Sequence, residues 1–378
     1  MKKNTSSKTT KPGNDKKVSG YPTGCTIGLD VSDEYTYVAV IDEAGELVGE
    51  EQLRTRESEL RKWLSQVPAS VVALETGTHS RWIEKAARSG GHRVLVANAR
   101  QVRLIYAGTN KTDKLDARKL ARLARVDPQL LSPIQHRSDR EHEALWMIGA
   151  REALVEVRTK LINTVRGAVK AMGARVPSCG SEAFTGRAHE VLPSGLRRSL
   201  APLLEQLDSI NETIQEYERE LEHLARTEYP ETELMTQVPG VGTIAALTFR
   251  LTIGDAQRFE RSRDVGCYVG LRPKRDQSGE QDPALGISKA GNPRLRRTLV
   301  NCAHYILGPF GPDTDLRRWG LGKAYAGAKE AKGRSGNKKR AVVAVARKLA
   351  VLLHRLWITG EVYEPLRNSQ RRVTSAAA

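Results

Sequence analysis

Four carboxylates in the first third of the chain have the residue type and spacing to do chemistry. Asp30 interrupts the apolar run 25–31, and Glu75 closes a second apolar run, 71–74. Asp113 and Asp116 are three residues apart, which places both on one face of a helix. Burying an unpaired carboxylate is costly, so acids at the ends of apolar strands need a cation. Four converging carboxylates match the charge of two Mg²⁺ ions and predict a metal-dependent site for phosphodiester chemistry.

Each acid also has a purely structural explanation. An acid at a strand end is often a turn or cap residue, and Asp113 and Asp116 could complement the positive end of a helix dipole. The order of the elements favours the site, because a strand with Asp30, two hairpin strands, a strand with Glu75 and a helix with two acids follow one another. That order is the layout of an RNase H-like nuclease core.

The elements that must position these acids form an α/β pattern after residue 25. Short β-favouring runs alternate with helical segments, which indicates a mixed sheet covered on both faces. The expected strands are 25–31, 35–42, 45–53, 71–75 and 92–97, and the expected helices between them are 57–66 and 80–89.

Two long helical patterns follow. The first covers 141–172, with apolar residues at Leu154, Val157, Leu161, Val165, Ala168 and Met172. The second has a stripe in alternating steps of four and three: Leu196, Leu200, Leu203, Leu207, Ile210, Ile214, Tyr217, Leu221 and Leu224. This heptad spacing predicts a coiled-coil seam. Spacing does not identify the partner helix, and we favour a helical hairpin that also helps to assemble a homo-oligomer, a dimer or a tetramer.

Two segments of the C-terminal half have the composition of phosphate-binding sites. Residues 238–242 resemble the hairpin of a helix-hairpin-helix, in which backbone N–H groups near Gly240 and Gly242 could hold a DNA phosphate; a plain turn explains the same residues equally well. Further on, Asn292 can cap a helix that begins with Pro293. Basic residues in the first turns oppose the helix dipole, so an anionic ligand is the expected reason for them. They are Arg294, Arg296 and Arg297, preceded by Lys289.

The net charge of +17 lies in the two ends of the chain. Residues 1–20 contain six Lys and one Asp, and 317–372 contain fifteen Lys or Arg and three Glu, whereas 21–316 are balanced. This distribution indicates a polyanionic partner bound through its phosphates. Residues 1–22 are expected to be disordered. We expect 317–340 to be a nucleic-acid-contacting loop, anchored by an apolar helix over 341–357. Its predicted contacts are Arg334, Lys338, Lys339 and Arg340.

Several classes of protein are disfavoured. Four scattered cysteines without a Cys-X-X-Cys pair argue against a zinc knuckle and a disulfide scaffold, and they suit a reducing cytoplasm. We expect no signal peptide, because no apolar core follows the basic N-terminus, and no apolar run is long enough for a membrane span. The expected location is therefore cytoplasmic, in association with the bacterial nucleoid.

With these residues in view, the chain resembles the DEDD transposases of bacterial insertion sequences, the IS-one-ten (IS110) family, which includes the Piv-like DNA invertases. The resemblance covers about residues 25–310. The motifs that carry it are Ile27-Gly28-Leu29-Asp30, Leu74-Glu75-Thr76-Gly77, Lys111-Thr112-Asp113-Lys114-Leu115-Asp116-Ala117, Pro239-Gly240-Val241-Gly242, Gly270-Leu271-Arg272-Pro273, Ser278-Gly279 and Ile287-Ser288-Lys289-Ala290-Gly291-Asn292-Pro293-Arg294-Leu295-Arg296-Arg297.

The resemblance implies a RuvC-like, RNase H-fold domain whose Asp30, Glu75, Asp113 and Asp116 bind Mg²⁺, with Mn²⁺ as a substitute. It also implies a recombinase that excises its element as a circle and reinserts it, guided to donor and target DNA by a structured noncoding bridge RNA. By motif position Ser278 is the nucleophile, and Ser288 is the reserve. The expected domains are a basic disordered tail (1–24), the RuvC-like domain (25–135), a coiled-coil region (136–228), a mainly helical transposase domain (229–310) and a basic C-terminal region that ends in a helix (311–378).

Departures from the family pattern are the long N-terminal extension, the acidic stretch 280–285 and the segment after Pro309, whose role depends on charge alone. Two other functions stay open. The same carboxylates could serve a RuvC-like junction resolvase that uses water, or the chain could be a non-catalytic nucleic-acid-binding protein in which the acids are structural. A tyrosine recombinase and a small serine recombinase are disfavoured, because no His/Arg constellation accompanies Tyr268 or Tyr305, and Ser6 and Ser7 lie in the expected tail.

Overall fold

The computed structural model describes residues 20–99, 112–275, 277, 285–325 and 331–369, without the side chains of 331–336. The chain forms two compact units that divide between His136 and Arg137. Each unit is described separately below.

The N-terminal unit contains a five-stranded mixed sheet. In chain order its elements are β1 (Thr26–Val31), β2 (Tyr35–Ile41), β3 (Leu47–Arg54), α1 (Glu57–Gln66), β4 (Val71–Glu75), α2 (Ser80–Ser89), β5 (Arg93–Ala97), α3 (Asp113–Val126) and a 3₁₀ turn (Pro128–Leu131). The strand order is β3-β2-β1-β4-β5. β1, β2 and β3 are antiparallel, whereas β1, β4 and β5 are parallel. The predicted mixed α/β sheet is confirmed.

Helices cover both faces of this sheet. On one face Leu60 and Trp63 of α1 and Ile83 of α2 pack in one cluster with Ile27 and Leu29 of β1. On the other face Leu120 and Ala124 of α3 pack with Ala73 and Leu95. Alternate residues of β1 and β4 therefore contact different helices, as the two-residue period of a strand requires.

The folded part of the chain begins earlier than predicted. The Tyr21 hydroxyl donates to Glu51 Oε1 at 2.6 Å, and its ring meets Trp63 edge-on with the centroids 6.3 Å apart. An aromatic ring that packs on a core Trp and has its hydroxyl hydrogen-bonded belongs to the folded unit. The prediction that 1–22 are disordered is wrong for Tyr21, and residues 1–19 lie outside the described part.

The C-terminal unit begins with two long helices, α4 (Asp139–Ala171) and α6 (Ser194–Glu228), which pack against each other within the chain, with the short α5 (Phe184–Val191) beside them. Ser138 Oγ accepts from the Glu141 N–H at the start of α4 in a capping box. Asn211 is buried in the pair and accepts from Arg158 Nη1 at 3.0 Å. A buried polar residue with its partner in place favours one register of the two helices.

The predicted apolar face of α4 is wrong at two positions. Val157 is 45% exposed and Met172 58% exposed. Val165 is buried as predicted, and the other buried residues of this helix are Ala144, Ile148, Ile162 and Val169. In chain order, the five are Ala144, Ile148, Ile162, Val165 and Val169. The first two pack with α6 and α8, and the last three pack with α5 and α6, so the buried face shifts along the helix with its neighbours.

The remaining helices share one core. They are α7 (Thr232–Thr236), α8 (Thr243–Ile253), α9 (Ser262–Tyr268), α10 (Pro293–Leu307), α11 (Asp315–Tyr325) and α12 (Ala331–Thr359). Phe249, Leu299, Val345 and Leu349 are buried together in this core. Of the residues predicted to anchor the basic segment, Val342, Val345, Leu349 and Leu356 are buried and Leu352 is partly buried.

The prediction of a basic loop over 317–340 is wrong for the described residues, which lie in α11 and α12. A Cβ on Gly320 would lie 2.5 Å from Val345 Cγ2, so the small residue lets α11 pack closely on α12. Arg317 donates to the carbonyl oxygens of Ile306 and Gly308, and Arg318 pairs with Asp313. These two arginines support the fold.

All four cysteines are free, and Cys25 and Cys302 are buried. Burial raises the pKa of the Cys302 thiol to about 11, which keeps it protonated and unreactive. Within the described ranges, no helix is both long enough and apolar enough to cross a membrane.

Candidate active site and nucleic-acid-binding segments

Asp30 and Glu75 lie at the carboxyl ends of neighbouring parallel strands. Leu29 of β1 is in register with Leu74 of β4, and the two acids are the next residue on each strand. Side chains alternate along a strand, so Asp30 shares a face with Gly28, and Glu75 shares that face with Ala73. Ala73 packs against α3. Both acids therefore lie on the face that α3 covers.

The backbone of α3 touches β1 directly. A Cβ on Gly28 would lie 2.0 Å from the carbonyl oxygen of Ala117 and 2.7 Å from the backbone nitrogen of Ala121. Both atoms belong to the helix backbone and cannot rotate away. Gly28 is thus required by this close approach, which fixes the distance of the helix from the strand.

Two arginines show which way α3 runs. Arg118 donates to Glu50 at 2.6 Å, and Glu50 is paired through β2 with Gly28, in the middle of β1. Arg125 Nε donates to the Asp42 carbonyl at 3.2 Å. Asp42 follows Ile41, which pairs with Thr26, the first residue of β1. Since the C-terminus of α3 lies at the start of β1, its N-terminus lies at the carboxyl end of β1.

The four predicted acids therefore share one end and one face of the sheet. Asp30, Glu75 and Asp116 are partly buried, whereas Asp113 is exposed. Lys119 lies 3.3 Å from Asp116 Oδ1, one turn along α3, and was not predicted as part of this group. Sequence spacing could have suggested it, because residues three apart on a helix are neighbours.

An all-carboxylate set is the donor chemistry that Mg²⁺ and Mn²⁺ prefer, so the residue types fit such an ion. The side chains are not gathered around one point: among the residues that the structure describes, no three His, Cys, Asp or Glu side chains form a metal-binding group.

We expect Gly28→Ala to destabilise the N-terminal unit by about 1–3 kcal/mol, the cost of overpacking a close contact. The added Cβ must push α3 away from β1, which also moves Asp113 and Asp116. Urea unfolding of the purified chain measures this loss. The control is Gly167→Ala in α4, where a Cβ meets no atom within 4 Å. It should stabilise by about 1 kcal/mol through helix propensity. If both substitutions changed the free energy of unfolding equally, the close contact at Gly28 would be contradicted.

Ser278 lies outside the described residues, but the segments on either side of 276–284 are joined. Lys274 N donates to the Gly286 carbonyl at 2.8 Å, and Ser288 N donates to the Arg272 carbonyl at 2.9 Å. A bridge between Pro273 and Ile287 is antiparallel. We call these segments, 270–275 and 285–289, the ribbon. It holds together the residues that precede and follow 276–284 in the sequence.

Ser288, the reserve nucleophile, lies in the ribbon. Its Oγ is buried and has no hydrogen-bond partner within the described part of the chain. Next to it Lys289 is exposed and has a left-handed backbone with φ of 54°. A Cβ on Gly291 would lie 2.0 Å from the Tyr268 carbonyl oxygen. The motif around Ser288 is therefore a tightly packed turn, and a buried hydroxyl is poorly placed to reach DNA.

The predicted cap of α10 is confirmed, since Asn292 Oδ1 accepts from the Leu295 N–H at 3.1 Å and Pro293 begins the helix. The three arginines that follow have partners inside the chain. Arg294 donates to Glu152 Oε2 at 2.8 Å, Arg296 donates to the carbonyls of Val269 and Gly291, and Arg297 pairs with Glu156 at 3.1 Å. Of the three side chains, Arg297 is the one whose pair is widely exposed, at 57% and 70%.

The two glycines of the predicted hairpin differ in their surroundings. Gly240 has φ of 88°, and a Cβ there would lie 2.8 Å from Tyr305 Cδ1, so packing explains this residue. Gly242 precedes α8, is exposed and has open space beside it. The N-terminus of α8 is thus accessible to an anion. Lys338, Lys339 and Arg340 lie on α12 and are exposed. Arg334 also lies on α12, and its side chain is outside the described part.

Two family models match the chain. A transposase model of the DEDD, IS110 type matches residues 27–173, which include all four acids. A model described as the transposase IS116/IS110/IS902 family matches residues 232–314, which include Ser278 and the ribbon.

Individual relatives give the same result. The chain is 30% identical over 294 residues to the transposase for insertion sequence element IS1328 of Yersinia enterocolitica, covering 76% of this chain and 85% of the relative. It is 28% identical over 345 residues to the transposase for IS1111A of Coxiella burnetii (strain RSA 493 / Nine Mile phase I), covering 89% and 90%. It is 26% identical over 289 residues to the pilin gene-inverting protein of Moraxella bovis, covering 73% and 76%. The chain belongs to the IS110 family of transposases.

Proposed function

We propose that this transposase cuts and rejoins DNA through a serine nucleophile, Ser278, together with a metal site formed by Asp30, Glu75, Asp113 and Asp116. The observation that carries the proposal is the common location of the four acids at one end and one face of the sheet. A purely structural role would not require acids from three separate elements at one end and one face of the sheet.

The chain's own part in this site is to hold carboxylates in place. The sheet fixes Asp30 and Glu75, and the Gly28 contact fixes the helix that carries Asp113 and Asp116. Lys119 neutralises Asp116 in the structure described, so it limits the repulsion among the acids. When bound, Mg²⁺ or Mn²⁺ would neutralise charge on the scissile phosphate.

The serine step conserves the number of phosphodiester bonds. Ser278 Oγ forms a bond to phosphorus while the bond from phosphorus to one deoxyribose oxygen breaks. The serine loses its proton to a base, and the departing deoxyribose oxygen gains one. Attack of a deoxyribose hydroxyl from another strand then reverses the step and releases the serine. No external energy source is needed, because the bond energy stays in the phosphoserine link.

The partners we propose are donor and target DNA and a noncoding bridge RNA. Support for the nucleic acids comes from the basic ends of the chain, and support for recombination comes from a relative named for gene inversion. We further propose that α4 and α6 form a coiled-coil insertion between the catalytic domain (25–135) and the transposase domain (229–310), and that this insertion helps to assemble a dimer or tetramer. Arg297, Lys289, Gly242 and the exposed Lys338, Lys339 and Arg340 are the proposed phosphate contacts.

Trapping of a covalent adduct tests the serine assignment. Purified protein incubated with labelled DNA of the element's ends, then denatured, should give a protein–DNA adduct for the natural sequence and none for Ser278→Ala. Ser181→Ala, in the exposed segment between α4 and α5, is the control and should give the normal amount. An adduct in Ser278→Ala would contradict the assignment. Cleavage without any adduct, with free 5′-phosphate ends, would favour water as the nucleophile.

A further inference from the structure

A large groove in the C-terminal unit starts at the ribbon and follows α12. Its walls are the ribbon, one side of α12, the start of α11 and the segment 361–369. The volume is about 1890 Å³, above the roughly 300–1,000 Å³ that small-molecule pockets occupy. An elongated polymer or a peptide fits such a space better than a small metabolite does.

The charges in this groove point to a polyanion. Among the described residues, its lining contains eight basic side chains and three acidic ones. Two of the acids are already engaged, since Glu361 pairs with Arg355 and Arg367, and Asp315 accepts from Ser369 and from the Asn368 N–H. The basic lining residues that form no ion pair with a described residue are Arg263, Lys339, Arg340, Arg347 and Lys348.

Apolar side chains and an aromatic ring also line the groove. Leu316, Val343 and Leu352 line it, and Trp319 lies there with Lys348 Nζ 4.1 Å from its ring centroid. Val362, another lining residue, is 71% exposed. A DNA duplex presents its phosphates but keeps its base faces stacked. An unpaired strand presents both phosphates for the cations and base faces for the apolar surface.

We propose that this groove binds a single, unpaired DNA strand beside the ribbon, whose two halves flank the segment 276–284 in the sequence. The inference deepens the proposed function, since it names the form of substrate for the C-terminal unit. Continuity with the ribbon supports it, because Pro273, Leu285 and Ile287 line the groove and also flank that segment. The strand's phosphates lie against Arg263, Arg340 and Arg347 and its bases against the apolar lining residues.

Binding of a short fluorescein-labelled single-stranded oligonucleotide, measured by anisotropy in EDTA over a range of NaCl concentrations, tests the proposal. Arg263→Ala/Arg340→Ala should weaken binding at least about tenfold and lower the slope of log K against log salt by about 1.4, at roughly 0.7 per lost phosphate contact. Arg197→Ala/Arg198→Ala, two exposed arginines at the start of α6, removes the same charge elsewhere and should change neither value. Equal losses in both pairs, or none in the groove pair, overturn the proposal.

A second measurement locates the strand. A photoreactive phenylalanine analogue at position 362 should crosslink to the single strand, whereas the same analogue at Met172, the 58% exposed residue that follows α4, should not. Crosslinking at both positions or at neither overturns the proposal, as does crosslinking of position 362 to a duplex or an RNA strand alone.

EDTA prevents metal-dependent cleavage, so the binding of the strand is measured independently of Ser278. If Ser278→Ala still forms the junctions of excised DNA circles, the serine assignment is wrong and the groove proposal is unaffected. If the groove variant binds the single strand normally, the groove proposal is wrong and the serine assignment is unaffected.

Discussion

Asp30→Asn and Asp113→Ala are each expected to lower the yield of excised circles at least about 10³-fold. A metal site contributes several kcal/mol to transition-state stabilisation, and each 1.36 kcal/mol is a tenfold change in rate. Loss of one carboxylate from the β1 end or the α3 start should remove most of that contribution, although the fold keeps both elements in place. Circle-junction PCR in cells that carry the gene with its native flanking DNA measures the yield.

Glu59→Gln is the matched control, because Glu59 is an exposed carboxylate on α1, away from the acids of β1 and α3. It should give circles at the normal level. Circular dichroism of each purified variant shows whether the fold is retained. If folded Asp30→Asn gave the normal yield of circles, Asp30 would be a turn or cap residue and the metal proposal would have no support.

Ser278→Ala in the same assay separates the two parts of the proposal. Junctions are expected in neither Ser278→Ala nor Asp113→Ala. Junctions in Ser278→Ala but not in Asp113→Ala would move the nucleophile to Ser288 or to water. Of these, water would be favoured, because the Ser288 hydroxyl is buried in the ribbon.

The sheet and its flanking helices could be predicted from the sequence because their signals are local. Strands such as Val71–Glu75 and helices such as Glu57–Gln66 are short apolar or amphipathic runs between turn residues. The shared location of the acids could also be expected, because the carboxyl ends of parallel strands meet at one sheet edge. The direction of α3 could not, since it depends on Arg118, Arg125 and the Gly28 contact, whose partners lie on other elements.

The arginines of α10 show why the rest of the site was beyond sequence reasoning. Positive charge at a helix start suggests an anion, but Glu152 is 142 residues before Arg294 and nothing in the local sequence connects them. The basic segment after residue 316 was misjudged for a similar reason. Its charge suggested a loop, whereas Gly320 and Val345 bring two helices together.

Arg250 connects several elements of the C-terminal unit, so its loss should be costly. Its guanidinium donates to Glu141 Oε1 at 2.8 Å, to Glu231 and to the Gly254 carbonyl, and it lies over the rings of Tyr229 and Trp357 at 5.1 and 5.2 Å. Glu141 and Glu231 are only 17% and 23% exposed. Arg250→Met would leave two largely buried carboxylates without their cation.

We expect Arg250→Met to lower the free energy of unfolding by about 3–5 kcal/mol, the cost of breaking a buried ion pair from one side. Urea unfolding at pH 7 measures it. Arg61→Met, which breaks the exposed pair with Glu57 on α1, is the control and should cost at most about 0.5 kcal/mol. If Arg250→Met also lowered the free energy of unfolding by no more than the control does, water would have to solvate both carboxylates.

The same loss should depend on pH in the acid range. Burial raises the pKa of Glu141, but hydrogen bonds from Arg250 and Ser138 outweigh it, and the net pKa is lower than the usual 4.5. A folded pKa below the unfolded value means that the stabilisation is complete above pH 4.5 and is lost as the pH falls through the folded pKa. The difference between the natural chain and Arg250→Met should therefore be largest near neutrality and shrink below pH 4.5. A difference that stays constant down to pH 3 would assign the loss to the ring contacts with Tyr229 and Trp357, because those contacts do not titrate.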